Sequence, residues 1–328
     1  MSSSSIGDPD TLVDEGDLRS FHNALKKSSR VLALLGAGLS APSGLPTFRG
    51  AGGLWRTHDS VSLATPEAFN RNPGLVWQFY SYRRHMALQA SPNAAHYALA
   101  ELARRMPGFM TLSQNVDGLS QRAQHPMRQL QLLHGTLFEV RCVDPVRCGY
   151  SRTDFTDPIV PALAIPTSGV DPTTIEARKG YDDQLQPQTR GEHLDISDVN
   201  VHIPTLGPED LPTCPNCHRL LRPGVVWFGE SLPNAVLDAV DKFIDQPERI
   251  DIMMVIGTSA KVFPAANYAI EARKKGARVC VVNMDESDRP PGGWEEGDWF
   301  FKGDAAVIVP KLLEPIVGQV QAFEDGNT

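Results

Sequence analysis

Several short stretches of this sequence hold residue types that can do chemistry together. GAGLSA sets Gly36, Gly38 and Ala41 in a G-x-G-x-x-A spacing directly after an apolar run. Small residues in that position let backbone N–H groups approach a pyrophosphate at the start of a helix, and the same spacing also serves a tight strand-to-helix turn that binds nothing. QNVD supplies Gln114, Asn115 and Asp117, and LLHG supplies His134 after another apolar run. An imidazole with an ordinary pKa near about 6.5 is largely neutral at physiological pH and can accept a proton. A histidine among apolar neighbours is equally at home as a packed core residue.

Two cysteine pairs stand apart from these, Cys142 and Cys148 in CVDPVRC and Cys214 and Cys217 in CPNC. Four thiolates can enclose one zinc ion tetrahedrally and hold together a small module that lacks a sufficient core. The competing arrangements are a redox pair at 214 and 217, or His218 in place of Cys142 or Cys148 as a ligand. Cys280 lies within an apolar run and reads as a packed side chain. The stretch FYSYRRH puts Tyr80 and Arg83 three residues apart on a helical pattern, hence on one face. A guanidinium fork beside a phenol is what a carboxylate needs on leaving water. The plainer account is an arginine whose stem covers apolar surface beside a core tyrosine. Tyr82 and Arg84 fall on other faces and receive no role.

The elements that must position these groups follow from apolar periodicity. RVLALL (30–35), FMTLSQNVD (109–117), IDIMMVIGTS (250–259), ARVCVVNMD (277–285) and AAVIVP (305–310) read as buried parallel strands. Helical patterns lie between them, at 73–89, 94–106 and 264–276, and Leu18, Phe21 and Leu25 recur at helical spacing behind a cap at Asp14 or Asp17. The expected fold is α/β, a Rossmann-like open parallel sheet with helices on both faces and chemistry at the carboxyl ends of the strands, plus a small zinc-binding module. Residues 18–139 and 225–316 make the large domain and 140–224 the module, with a Pro/Asp/Thr-rich insertion at 151–210 that lacks periodicity; 1–17 and 317–328 are tails.

The chain has 328 residues, 41% hydrophobic, enough to bury a sizeable core. No apolar run approaches the roughly 18 residues that cross a bilayer, and a formal net charge of -8 argues against generic nucleic-acid binding. The N-terminus carries several carboxylates and no arginine before Arg19, which reads as a solvated tail on an intracellular protein and lacks the character of a mitochondrial leader. The acid expected about 20 residues after a dinucleotide-binding glycine turn is missing from TFRGAGGLWR, which disfavours an ordinary hydride-transfer dehydrogenase.

Six stretches, GAGLSAPSGLPTFRG, SQNVDGL, LLHG, GVVWFGE, GTS and VVNMD, occur in an order and approximate spacing that resembles the sirtuin family of NAD-dependent protein deacylases, from about residue 30 to 310. The resemblance implies NAD as co-substrate and one structural zinc on Cys142, Cys148, Cys214 and Cys217. It implies that Gly36, Ala37, Gly38 and Ser40 face the phosphates. Pro46, Phe48 and Arg49 would lie on a loop that closes over NAD. Gln114, Asn115 and Asp117 would hold the nicotinamide half, with His134 as general base. Gly257, Thr258, Ser259 and Asn283, with Asp304 and Ala305, would complete the cofactor site. Val225, Gly229 and Glu230 would receive an acyl-lysine peptide as an added strand. Tyr80 and Arg83, with the small Ala64 of SLATPEAF, resemble the acyl pocket of class III members, which remove succinyl, malonyl and glutaryl groups. A plain deacetylase, an ADP-ribosyltransferase or NAD hydrolase, and a non-enzymatic ADP-ribose-binding module are the alternatives. The resemblance also implies acylated proteins as partners, a monomer, no membrane and no nucleic acid; cytoplasm or nucleus is expected from the N-terminus, mitochondrion from the resemblance.

Overall fold

The computed structural model describes residues 13–47, 53–167, 193–259, 265–288, 290 and 292–320. The chain divides into two compact units, one made of Met1–Phe48, Met86–Leu137 and Gly224–Thr328, the other of Arg49–His85 and Phe138–Pro223. Residues 49–85 thus cluster with the segment that carries the cysteines.

The first unit is built on a six-stranded sheet. Its strands are β1 (Val31–Leu35), β4 (Phe109–Ser113), β5 (Leu130–Leu132), β9 (Ile252–Ile256), β10 (Arg278–Asn283) and β11 (Trp299–Lys302). They run in the order β11-β10-β9-β1-β4-β5, and every pairing is parallel. All five residues of β1 are buried, because it lies between two neighbours and under helices on both faces. Val31, Ala33 and Leu35 enter a core with α1 (Glu15–Leu25), α5 (Ala94–Arg105) and α9 (Ala305–Val317). Leu32 and Leu34 point the other way, against α7 (Asn234–Ile244) and α8 (Asn267–Lys274). The two-residue alternation of a strand therefore feeds two cores.

Residues 305–310 are not a strand. They open α9, capped by Asp304, whose carboxylate accepts the Ala306 amide at 2.7 Å. The run looks like a short strand when Pro310 is taken as its end, but buried Ala305, Ile308, Val309, Leu312 and Leu313 continue past it at helical spacing. Proline is normally disruptive inside a helix; here the apolar face on either side of it is held by the core. The strand that actually follows β10 is β11, with Trp299 and Phe301 buried. At the other terminus α1 starts at Glu15 with Asp14 as its cap, accepting the Asp17 amide at 2.9 Å. Residues 1–12 and 321–328 of the expected tails lie outside the described residues.

The second unit holds the hairpin β2 (Leu54–Trp55) and β3 (His58–Asp59), the short helices α2 (Ser60–Leu63) and α3 (Pro66–Arg71), and most of α4 (Pro73–Gln89). A small sheet in the order β7-β6-β8 joins β6 (Gly135–Cys142), β7 (Ser151–Thr153) and β8 (Leu221–Val225). Helix α4 is buried around most of its circumference, and its polar groups find partners inside. The Trp77 indole donates to the Leu221 carbonyl at 2.9 Å and Ser81 to the Leu163 carbonyl at 3.1 Å. Of the expected insertion, residues 168–192 lie outside the described residues. Among the described residues no helix is long and apolar enough to cross a membrane.

Candidate active site

In the first unit the groups singled out by type meet at the carboxyl ends of the parallel strands. Gly36 follows β1, Gln114 and Asn115 follow β4, His134 follows β5, Gly257 follows β9 and Asn283 closes β10. The ladder continues past the strands: the Gly36 amide donates to the Ile256 carbonyl and the Gly257 amide to the Val282 carbonyl, each at 2.9 Å, and the Gln114 amide to the Leu35 carbonyl at 3.0 Å.

The glycines are required here by contact as well as by any ligand. A Cβ on Gly36 would stand 2.5 Å from the Thr258 Cβ, and one on Gly38 would stand 2.7 Å from the Gly257 Cα. Gly257 itself sits at φ +62°, with the Leu39 amide 2.4 Å from where its Cβ would be. The Gly38 amide donates to the Gly257 carbonyl at 2.9 Å. Only residues without side chains allow two backbone turns to come this close.

Asn115 bridges the turn. Its Nδ2 donates to the Gly36 carbonyl at 3.0 Å and to Ser40 Oγ at 3.2 Å, which directs its carbonyl oxygen elsewhere as an acceptor. Ser40, buried, also faces His96 Nε2 at 3.4 Å. The Asn93 amide donates to His96 Nδ1 at 3.2 Å, so the ring proton lies on Nε2 and points at Ser40. With two donors on its oxygen, the Ser40 hydroxyl has its own proton to give to a ligand. His96 and Asn93 form the capping box of α5. Sequence reading passed over both, although an Asn with a His three positions later just ahead of an apolar helix was a visible signal.

His134 Nδ1 lies 3.1 Å from the Gln114 carbonyl. A carbonyl only accepts, so Nδ1 carries the proton and the lone pair is on Nε2, the form a general base needs. Burial pushes its pKa below the usual value, against a smaller opposing effect of that hydrogen bond. Burial likewise takes His96 down to about 3 and His125 down to about 4. The Gln114 side chain donates to Thr258 Oγ1 at 3.2 Å, and Asp117 accepts the Leu119 amide at 2.9 Å. Asn283 ties the loops together: its Nδ2 donates to the Thr258 carbonyl at 3.3 Å and to buried Asp288 at 3.0 Å. Asp304 caps α9 ahead of buried Ala305, and the Gly303 amide beside it reaches the Asn283 carbonyl at 3.1 Å. Ala37 and Ser259 are half-buried and Pro46 is exposed; Phe48 and Arg49 lie outside the described residues.

The segment expected to receive a peptide leaves β8 at Val225, and the Val226 amide donates to the His134 carbonyl at 2.9 Å. Glu230 then folds back so that its carboxylate accepts the Trp227 amide at 2.8 Å. Gly229, at φ +88°, has open space where a side chain would be.

In the second unit the four cysteines of the sequence pattern converge. Their sulfurs all lie within 4.8 Å of one another, with Cys142 to Cys217 and Cys148 to Cys214 each at 3.5 Å. A tetrahedral zinc with four thiolates, bonded at about 2.3 Å, requires sulfurs roughly 3.8 Å apart, so the donor set fits zinc. Burial pushes the Cys214 thiol up, but the amides of Cys217 and Asn216 overcome this and bring it down to about 7, toward the thiolate a metal binds. His218 is exposed and outside this set, which removes it as a ligand. Cys280 is buried in β10.

Also in this unit, Tyr80 is buried and the Arg83 guanidinium lies 5.4 Å from the Phe79 ring centre. Ala64, buried, ends α2. Arg84 is the deeply buried arginine of the pair: it donates to the carbonyls of Asp154 and Thr156 at 2.9 and 3.0 Å and lies 3.9 Å from the Asp154 carboxylate. Arg83 is half-buried on another face of the helix. The buried indole N–H of Trp55, packed edge-on to Phe79 at 5.6 Å, has no hydrogen-bond partner among the described residues.

Comparison with known proteins adds to this geometry. The Sir2 family profile matches residues 36–264. A Candida albicans protein named NAD-dependent protein deacylase is 42% identical over 92% of this chain and 99% of its own. A Xenopus tropicalis protein named NAD-dependent protein deacylase sirtuin-5, mitochondrial, is 38% identical over 90% of this chain and 85% of its own. Among solved structures, a Sir2 homolog–NAD complex superposes with a TM-score of 0.68 at 33% identity, covering 93% of this chain and 94% of that one. A Sir2–p53 peptide–NAD+ complex does so with a TM-score of 0.64 at 26% identity, covering 90% and 97%.

Two expectations follow. His96, His125 and His134 stay neutral in the folded chain at pH values where the unfolded chain binds protons, so stability is lost as pH falls below about 6.5 toward the lowered values. For the same reason the acid limb of kcat/KM for a reaction using His134 as base falls below about 6.5; a limb at or above that pH, measured where circular dichroism shows the chain folded, contradicts the assignment. Elemental analysis should find one zinc per chain, and its removal by a chelator should lower the melting temperature and abolish activity through loss of the module. Full activity and unchanged melting after complete zinc removal contradict a structural site.

Proposed function

We propose, for a chain that belongs to the Sir2 family and is an NAD-dependent protein-lysine deacylase, that its substrates are lysines bearing acidic acyl groups, namely succinyl, malonyl and glutaryl. The observation that carries the acyl preference is the pair Tyr80 and Arg83 on one face of α4, with the arginine half-buried and its neighbour Arg84 bound elsewhere. A phenol and a guanidinium fork together supply charge-assisted hydrogen bonds to a carboxylate that has left water. Small Ala64 supports room for an acyl chain longer than acetyl.

Bound NAD would supply a ribose carbon that exchanges nicotinamide for the acyl-amide oxygen and a ribose hydroxyl that takes the acyl carbon, one water being consumed as the lysine amine leaves. The chain's own residues act around it. Ser40 gives its hydroxyl proton to the ribose or a phosphate, and the carboxamide oxygen of Asn115, turned outward by its two donor bonds, accepts from a ribose hydroxyl. Gly36, Ala37 and Gly38 bring backbone against the phosphates, while Gly257, Thr258, Ser259 and Asn283, with Asp304 and Ala305, border the adenosine half. Gln114 and Asp117 orient the nicotinamide half, and the carboxylate stabilises positive charge developing on the sugar. His134, proton on Nδ1, takes a proton at Nε2 from the ribose hydroxyl as the acyl group moves onto it. The acyl-lysine peptide lies as an extended strand on Val225 and Gly229, with Glu230 holding the turn that presents them. The products are free lysine, nicotinamide and O-acyl-ADP-ribose.

Arg83→Met tests the preference. Leaving a substrate carboxylate desolvated and unpaired costs about 2 to 5 kcal/mol, so the ratio of succinyl- to acetyl-peptide kcat/KM should fall by at least ~30-fold. An equal loss on both peptides rejects Arg83 as the carboxylate partner.

A further inference from the structure

Gln78, Ser81, Tyr82 and His85 recur along α4 at spacings of three, one and three residues. At roughly 100° per residue they form one polar stripe, and Tyr80 and Arg83 lie on the opposite side of the helix. The stripe is occupied by two stretches of the insertion, one on either side of the run of residues 168–192. From the segment before it, Ser81 reaches the Leu163 carbonyl at 3.1 Å and His85 Nδ1 meets the Asp157 carboxylate at 2.7 Å. From the segment after it, Gln78 reaches the Pro204 carbonyl at 2.7 Å, the Tyr82 phenol faces the side chains of Ser197 and Asp195, and the His193 ring packs edge-on to His85 at 4.5 Å. Thr167 and His193 pair as an isolated bridge, so the two segments meet there.

The downstream segment is itself gripped by one cation. The Arg56 guanidinium donates to the carbonyls of Ile196, Asp198, Val199 and Val201 at 2.9 to 3.0 Å, and its amide to the Ser197 carbonyl at 3.1 Å. Arg56 holds a left-handed backbone, φ +56°, to do so, a conformation that persists in a non-glycine residue only where its surroundings impose it. Its neighbour Trp55 packs on Phe79, the ring that lies beside the Arg83 guanidinium.

We propose that residues 193–204 form a selectivity clamp, held by Arg56 and lying against Gln78 and Tyr82, that fixes the rotation of α4 and so aims Arg83 at the acyl carboxylate. Tyr82 and Arg56 are then positioning residues, and the proposal rests on the acidic-acyl reading given above. The lever is steep. A turn of about 10° around the helix axis displaces a group at the side-chain radius by about 1 Å, a misplacement that bidentate pairing does not tolerate.

The test is steady-state kinetics of the full chain on one peptide in succinyl-lysine and acetyl-lysine forms, for the wild type, Tyr82→Phe, Arg56→Lys and Arg83→Met. Losing the Tyr82 hydroxyl should lower succinyl kcat/KM about 5-fold, mostly through KM. Acetyl kcat/KM and the KM for NAD should move less than about 2-fold, within the change expected of a substitution remote from both. Arg56→Lys, which keeps the charge and loses the fork, should shift the ratio in the same direction, and thermal melting reports whether it remains folded; Tyr82→Phe keeps the test open if it does not. An equal effect on both peptides, or none, for Tyr82→Phe overturns the clamp while Arg83→Met still lowers the ratio. If Arg83→Met leaves the ratio unchanged, the acidic-acyl reading fails and the clamp with it.

Discussion

The first unit depends on a contact between two backbone turns that no side chain could occupy. Gly36 and Gly38, after the central strand, touch Gly257 and Thr258, after its neighbour, at distances that a single Cβ would violate. That approach draws the ends of two parallel strands together, and the next strand over adds the Asn115 carboxamide across the gap, tied to the Gly36 carbonyl and Ser40. A concave, donor-rich end of a parallel sheet is where α/β proteins take nucleotides. Here the need for glycine comes from packing as well as from the ligand, so a sequence keeping these glycines keeps the framework on which a phosphate would rest.

Around this contact, hydrogen-bond valences are distributed unevenly, and the unevenness separates frame from function. Asn283 and Glu230 spend their polar atoms on the protein, holding loops in place. Among the described residues, Ser40, Asn115 and His134 are tied on one side: two donors fill the serine oxygen, two acceptors fix the asparagine amide, and one carbonyl sets the imidazole tautomer. What is left on each is one proton to give, one oxygen to accept with and one basic nitrogen. Those three functions are what acyl transfer onto a sugar hydroxyl requires.

Much of this was legible in the sequence because it rests on local pattern. The parallel strands appear as buried apolar runs, the four cysteines as metal-spaced pairs, and Gly36, Asn115 and His134 as short motifs at strand ends. What stayed hidden depends on tertiary contact or on the width of the window. AAVIVP is helical because its apolar period runs on through Pro310 to Val317, which a reading stopped at the proline misses. Trp299–Lys302, four residues long, offers too little alternation to announce a strand. The spacing of Asn93 and His96 marks a helix start, but that the His96 ring faces Ser40 is a tertiary contact that leaves no trace in the sequence. Half-buried Arg56 and buried Arg84 are cations whose partners are backbone carbonyls more than 60 residues away in sequence, and a carbonyl has no residue type to read.

The direct measurement is mass analysis of the products formed by the wild-type chain from NAD and one peptide carrying succinyl-, malonyl- or acetyl-lysine. The account predicts nicotinamide, unmodified lysine and an O-acyl-ADP-ribose bearing the mass of the removed group, in equal amounts and faster with the acidic groups than with acetyl. ADP-ribose transferred to protein or water without any need for acyl-lysine would contradict it, and faster turnover of the acetyl peptide would contradict its specificity.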